Sequence, residues 1–249
     1  MGAGIDWMIV VTQHVAALPG AVGRVGAFGI GPLIASSAGI VLLGLLRTPL
    51  RWSGAALLVV AAVWAARVPQ PDILISGDGR NVGVRGSDGR LHLMRLAKDA
   101  FQIREWLAAD ADARTATDAS LAEGVSCDDS GCVTQARGAG LVALAQRAEA
   151  LVDDCDRATL IVTAKPLPAG CAASIIGTER LRRHGAIALR RSPDGSLVVD
   201  AVKPAGIDRP WSPAVAGDSE AEPTIPAARA GPPRAIDATP SEADVQAED

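Results

Sequence analysis

The sequence predicts a helical membrane segment followed by a soluble mixed α/β domain. Three observations carry this. Residues 25–46 and 52–68 form two apolar runs separated only by Arg47-Thr-Pro-Leu-Arg51. From residue 69 onward, short alternating apolar stretches are punctuated by Asp-Gly turns. From residue 204 the composition shifts to Pro, Ala and acidic residues. The division is therefore 1–68 membrane helices, 69–203 soluble α/β domain, and 204–249 a disordered acidic Pro/Ala-rich tail, which lacks the apolar surface needed to offset ordering.

A bilayer core takes roughly 20 residues of helix to cross. Residues 25–46 meet that length and carry Pro32 and several Gly, which packed membrane helices tolerate. Residues 52–68 are shorter but hold no internal charge before Arg67, and Gly54 with a string of Ala gives a face for close packing. Residues 5–18 contain Asp6, Gln13 and His14 and read as an interfacial or re-entrant helix, or one that spans only within a larger bundle. A cleaved signal peptide fits poorly, because no basic stretch precedes Ile5. Arg47 and Arg51 place the short loop in the cytoplasm by the positive-inside rule, which sends both flanks, and everything after Val68, to the outer side of the membrane.

In the domain, residues 72–76, 82–85 and 91–94 alternate as strands around Asp78-Gly79-Arg80 and Asp88-Gly89-Arg90, predicting a three-stranded meander. Both Asp-Gly pairs read as turns rather than catalytic carboxylates. Residues 101–107 read as a short helix turning Phe101, Trp106 and Leu107 inward, and 110–124 as a surface loop. Residues 138–151 fit either strand or helix. Residues 158–163 are the best buried strand, Thr178–His184 a short helix, and 186–190 and 197–202 a hairpin around Ser192-Pro-Asp-Gly195.

Charge and motif narrow the function. Residues 68–203 hold seventeen Lys and Arg against eighteen Asp and Glu, so the domain is no general polyanion binder, which needs excess positive charge. The four cysteines, Cys127, Cys132, Cys155 and Cys171, lack the paired x2–x4 spacing of zinc ribbons. Two disulfides, free buried thiols or a metal site are the three readings, and an oxidising compartment favours the first. His92 and His184 stand alone, no hydrolytic metal motif, serine elbow or phosphate loop occurs, and no cofactor is expected. Arg180, Arg182, Arg183, Arg190 and Arg191 form the one local concentration of positive charge. They are candidates for contact with a DNA backbone, although a solvated basic helix end is the plainer reading.

Several ordered motifs carry a resemblance. Val15-Ala-Ala-Leu-Pro-Gly-Ala21, Leu45-Leu-Arg-Thr-Pro-Leu-Arg51, Pro71-Asp-Ile-Leu-Ile-Ser-Gly-Asp-Gly-Arg80, Trp106-Leu-Ala-Ala-Asp110, Ser126-Cys-Asp-Asp-Ser-Gly-Cys132, Asp154-Cys155 and Leu181-Arg-Arg-His-Gly-Ala186 follow one another over residues 5–203. In this the chain resembles the C-terminal portion of ComEC family competence proteins of the alphaproteobacterial type. That family takes single-stranded DNA through the inner membrane during natural transformation, and its C-terminal domain has a metallo-β-lactamase-like fold. The resemblance implies a fragment or mis-started reading frame holding the last channel helices and that domain, whose partners would be the rest of the channel, other competence proteins and DNA. The domain would be a degenerate one of layered sheets, because the family's His-x-His-x-Asp-His ligand motif has no counterpart here. Nuclease activity is accordingly not carried over, and the domain is expected not to be an enzyme. The alternative reading is a membrane-anchored periplasmic scaffold without a transport role.

Overall fold

The computed structural model describes residues 2–18, 23–95, 99–166, 168, 170–203 and 210. The tail expected to be disordered therefore lies, apart from Pro210, outside the described residues.

Three helices come first: α1 (Gly2–Ala16), α2 (Ile30–Leu45) and α3 (Trp52–Arg67). A 3-10 turn at Pro49–Arg51 leads straight into α3, and Pro49–Arg67 is long and apolar enough to cross a membrane. The first apolar run differs from expectation. Gly29 adopts φ 72, so the helix starts only at Ile30, and its sixteen residues span about 24 Å. Residues 23–29 are instead non-helical, and Arg24 and Ala27 hydrogen-bond to the domain.

The antiparallel pair α2–α3 touches through glycines. A Cβ on Gly54 would meet the Gly39 carbonyl oxygen at 2.6 Å, and one on Gly39 would meet Leu58 and the Gly54 carbonyl at about 3 Å. The Trp64 ring likewise packs on Gly31, while other apolar side chains, such as Ile30, Ile40 and Val59, face outward and are exposed.

The rest of the chain is a mixed α/β domain of two five-stranded sheets. β1 (Ile73–Ile75), β2 (Asn81–Arg85), β3 (Leu91–Arg95), β9 (Ile187–Arg191) and β10 (Leu197–Ala201) form an antiparallel sheet in the order β10-β9-β1-β2-β3. β4 (Val125–Cys127), β5 (Gly131–Ala136), β6 (Gly140–Ala145), β7 (Leu160–Thr163) and β8 (Ser174–Gly177) form the second, antiparallel as far as β6 and parallel from β6 to β8. Each parallel step requires a crossover; α5 (Ala150–Arg157) supplies the one from β6 to β7. The ambiguous stretch 138–151 thus resolves into a strand and the start of a helix.

The strands' period of two sorts their side chains. Ile73, Ile75, Val82, Val84, Met94, Ile187 and Leu189 face Val142, Leu144, Leu160, Val162 and Ile176 between the sheets. On the outer face of the first sheet, Leu91 and Leu93 meet Ile103 and Leu107 of α4 (Ala100–Ala109) and Leu121 of the 3-10 turn Ala119–Ala122. On the outer face of the second, Ala143, Ala145 and Ile161 meet Leu151 and Cys155 of α5. The order is helix, sheet, sheet, helix. Phe101, expected inward, is 65% exposed; Ile103 and Leu107, one helical turn apart, set the buried stripe, and Phe101 lies well off it. The short helix α6 (Thr178–His184) places Leu181 in the intersheet core.

The glycine contact gives substitutions of opposite sign. Gly44→Ala, with nothing near its added methyl, should stabilise the α2–α3 pair by about 0.5–1 kcal/mol through helix propensity. Gly54→Ala should destabilise it by about 1–3 kcal/mol through overpacking. Thermal midpoints of the full chain in detergent micelles test the pair; equal shifts would show that the helices do not meet at Gly54.

Candidate functional site at the seam between helices and domain

A dense polar constellation lies where α4 ends. Asp99 caps the start of α4 by accepting the Gln102 backbone N–H at 3.1 Å. The helix stops without glycine: Ala111 takes φ 57, its N–H donates to the Ala108 carbonyl, and the Asp112 N–H reaches back to the Leu107 carbonyl at 2.8 Å. This is the bond pattern of a Schellman ending, with alanine in the position that favours glycine. The ending aims two carboxylates at two arginines. Arg85 of β2 grips Asp110 with both terminal nitrogens, at 2.5 and 3.2 Å, and also donates to the Gly89 and Pro71 carbonyls. Arg114 grips Asp112 at 2.6 and 2.8 Å and donates to the Leu91 and Ser120 carbonyls. All four side chains are 10–13% exposed.

The same corner fastens the apolar helices. Arg24 donates to the Asp112 carbonyl at 3.0 Å, the Ala27 N–H donates to the Ala109 carbonyl at 2.8 Å, and Gln70 Nε2 donates to the Ala27 carbonyl at 3.1 Å. The chain entering α2 and the chain leaving α3 thus meet the domain at one place. Beside this joint opens a solvent-facing cleft of about 630 Å3 lined by Gln70, Arg85, Arg90, Asp110, Asp112, Arg114 and Asp118, among others. Burial alone would raise the Asp112 carboxyl, but hydrogen bonds from Arg114 and the charges of Arg114 and Arg90 hold it below the ordinary value. Hydrogen bonds from the Ser120 hydroxyl and N–H hold Asp118 low as well. Both are carboxylates at neutral pH.

The Asp-Gly pairs sit in turns. Asp78, Asp88 and Asp194 accept the N–H two residues on, at 3.0–3.1 Å, and Gly79, Gly89 and Gly195 take positive φ. His92 Nε2 lies 3.1 Å from Asp88, and its buried Nδ1 has no hydrogen-bond partner among the described residues. Among the described residues no three His, Cys, Asp or Glu side chains gather in a metal-holding group.

The five arginines singled out in the sequence do not form one patch. Arg180, Arg182 and Arg183 lie on α6, where Arg183 pairs with Glu179 at 3.0 Å. Arg190 and Arg191 end β9, about 13 Å from its start by strand rise. Arg190 pairs with Asp200 at 2.9 Å, and Arg191 donates to the Arg137 carbonyl. Cys127 is joined to Cys132 across the β4–β5 hairpin, and Cys155 of α5 to Cys171 ahead of β8. The seam was not visible in the sequence. Arg85 and Asp110 lie 25 positions apart, and the one local signal was the run Asp110-Ala-Asp-Ala-Arg114 after a helix with no glycine to end it.

No protein-family model, curated protein or solved structure matches the chain.

Two outcomes follow from this geometry. Ala111→Gly relieves a left-handed alanine and should raise stability by about 0.5–1 kcal/mol, net of the entropy glycine adds to the unfolded chain; a lower denaturation midpoint would show that the Schellman ending does not form. Burial, with the nearby Asp153 and Asp128 carboxylates, holds the Asp154 carboxyl above its ordinary 3.8. A carboxyl raised by folding contributes stability while protonated and loses it as pH rises through the folded value. Asp154→Asn should therefore raise the thermal midpoint at pH 7, with the gain vanishing as pH falls below the ordinary Asp range. A gain that is independent of pH would show another cause.

Proposed function

We propose that the chain is the C-terminal portion of a ComEC-like inner-membrane protein for uptake of single-stranded DNA, carrying a non-catalytic, metallo-β-lactamase-like domain on the periplasmic side. The observation that carries the reading is the helix–sheet–sheet–helix layering joined directly to an apolar helical hairpin, in the order that the sequence motifs of that family imply. Layered sheets with helices outside are the architecture of metallo-β-lactamase-like domains, and the joint at Arg24, Ala27 and Gln70 puts both ends of the hairpin on the domain's side. The two disulfides favour an oxidising compartment, where such bonds persist.

A second reading, a membrane-anchored periplasmic interaction or scaffold domain, is favoured by the arginines. Arg183, Arg190 and Arg191 are engaged with partners inside the domain, which leaves less positive charge for a DNA backbone than the sequence suggested.

The full chain in detergent, incubated with single- and double-stranded DNA and manganese, should leave DNA uncut and bind it weakly, with binding lost as salt rises. Metal-stimulated cleavage would overturn the non-catalytic assignment. Complementation of a transformation-deficient strain separates the two readings: the transport role requires that removing residues 69–203 from the complete reading frame lowers transformation, while the scaffold role leaves it unchanged.

A further inference from the structure

The cleft at the seam has a chemistry that neither reading uses. Its floor is preorganised: Arg85 and Arg114 are each fixed by a carboxylate and by two backbone carbonyls. Its rim holds Arg90, which is exposed at the tip of the β2–β3 hairpin and pairs with no carboxylate among the described residues. The lining also carries three carboxylates: Asp110 and Asp112, already paired with Arg85 and Arg114, and Asp118, which accepts from Ser120 and is bridged to no arginine among the described residues. Position adds a second constraint. Gln70 lines the cleft three residues after Arg67 ends α3, and the other flank of the hairpin is tied to Asp112 by Arg24. If the Pro49–Arg67 helix crosses a bilayer, the cleft opens at the level of the lipid headgroups.

We propose that this cleft binds the headgroup of a phosphoethanolamine lipid, with the phosphate against Arg90 and the edges of Arg85 and Arg114, and the ammonium toward Asp118. The proposal rests on the reading that the hairpin lies in a membrane. Guanidinium groups match phosphate geometry with paired donors. The carboxylates decide which phosphate. They repel a run of phosphodiesters such as DNA and offer nothing to an anionic glycerol headgroup, whereas a primary ammonium has three N–H donors for them. A quaternary choline has none.

Native mass spectrometry of the detergent-purified full chain tests this, with dioleoyl phosphatidylethanolamine, phosphatidylcholine and phosphatidylglycerol, inorganic phosphate and a single-stranded oligonucleotide as separate probes. The ethanolamine lipid should be retained in preference to the others. Arg90→Gln should weaken its retention about tenfold, the size of one lost charge-assisted hydrogen bond. Asp118→Asn should erase the preference over phosphatidylglycerol. Arg182→Gln, on exposed α6, should change neither. Equal retention by Arg90→Gln would overturn the site, as would Arg90-dependent binding of phosphate alone, the glycerol lipid or the oligonucleotide that matches the ethanolamine lipid. Carbonate extraction of membranes separates the two layers of the argument. A chain that stays in the membrane pellet without Arg90-dependent binding loses only the headgroup site, and a chain that extracts loses the membrane reading with it.

Discussion

The pairing of β1 with β9 is the constraint on which the domain depends. β1 leaves the apolar hairpin within six residues of α3 and finds one neighbour next in sequence, β2, and the other in β9, with Ile73 opposite Leu189 and Ile75 opposite Ile187. Closing a loop on the order of 110 residues costs about 4 kcal/mol of chain entropy. Burying Ile73, Ile75, Ile187 and Leu189, each no more than 2% exposed, returns about 1.5–3 kcal/mol apiece, so the closure is favourable. It is reinforced at the mouth, where Asp72 accepts the Arg191 N–H and its own N–H donates to the Leu189 carbonyl. Everything between, including the whole second sheet, is an excursion from this closed frame.

The seam follows from that frame. Because β1 and β2 are fixed next to the end of α3, Arg85 on β2 faces the place where α4 stops, and Asp110 and Asp112 are delivered there by the Schellman ending. A buried ion pair gains little over an apolar substitute, but losing one partner costs about 3–5 kcal/mol. Arg85–Asp110 is therefore better understood as a positioning device than as a source of stability. It fixes the α4 terminus whose carbonyls then hold residues 24 and 27.

The parts legible in the sequence were those decided locally. Asp-Gly turns with alternating neighbours marked the meander because positive φ and the Asp side-chain acceptor act within four residues. Thr178–His184 was legible because Gly185 ends it, at φ 72. What was not legible depended on partners far away. Residues 138–151 are apolar enough for either strand or helix, and only pairing with β5 and β7 makes the first half a strand. The apolar run from residue 25 looked continuous, yet Gly29 and the contacts of Ala27 with the domain withdraw its first part from the helix. The arginines of 180–191 were adjacent in sequence, but a helix end and a strand end carry them apart. The candidate site was the least legible of all, since it joins residues 24, 70, 85 and 110, from four different segments.

The two sheets are held by different means, and this explains where the cysteines lie. The first sheet is framed by β1–β9 closure, covered by α4 and tied to the apolar helices. The second has no such tie, and its outer strands are β4 and β8. Each of these edges is pinned by one disulfide: Cys127–Cys132 clamps β4 to β5, and Cys155–Cys171 fastens the approach to β8 onto α5. By chain entropy, separations of 5 and 16 residues are worth about 2 and 3 kcal/mol. That is comparable to the burial of a single core side chain, and β4, three residues with two exposed, brings only the partly buried Val125 to the intersheet core. At β4 the covalent link stands where the packing is thin; at β8, whose Ile176 is fully buried in the intersheet core, it adds to packing already present.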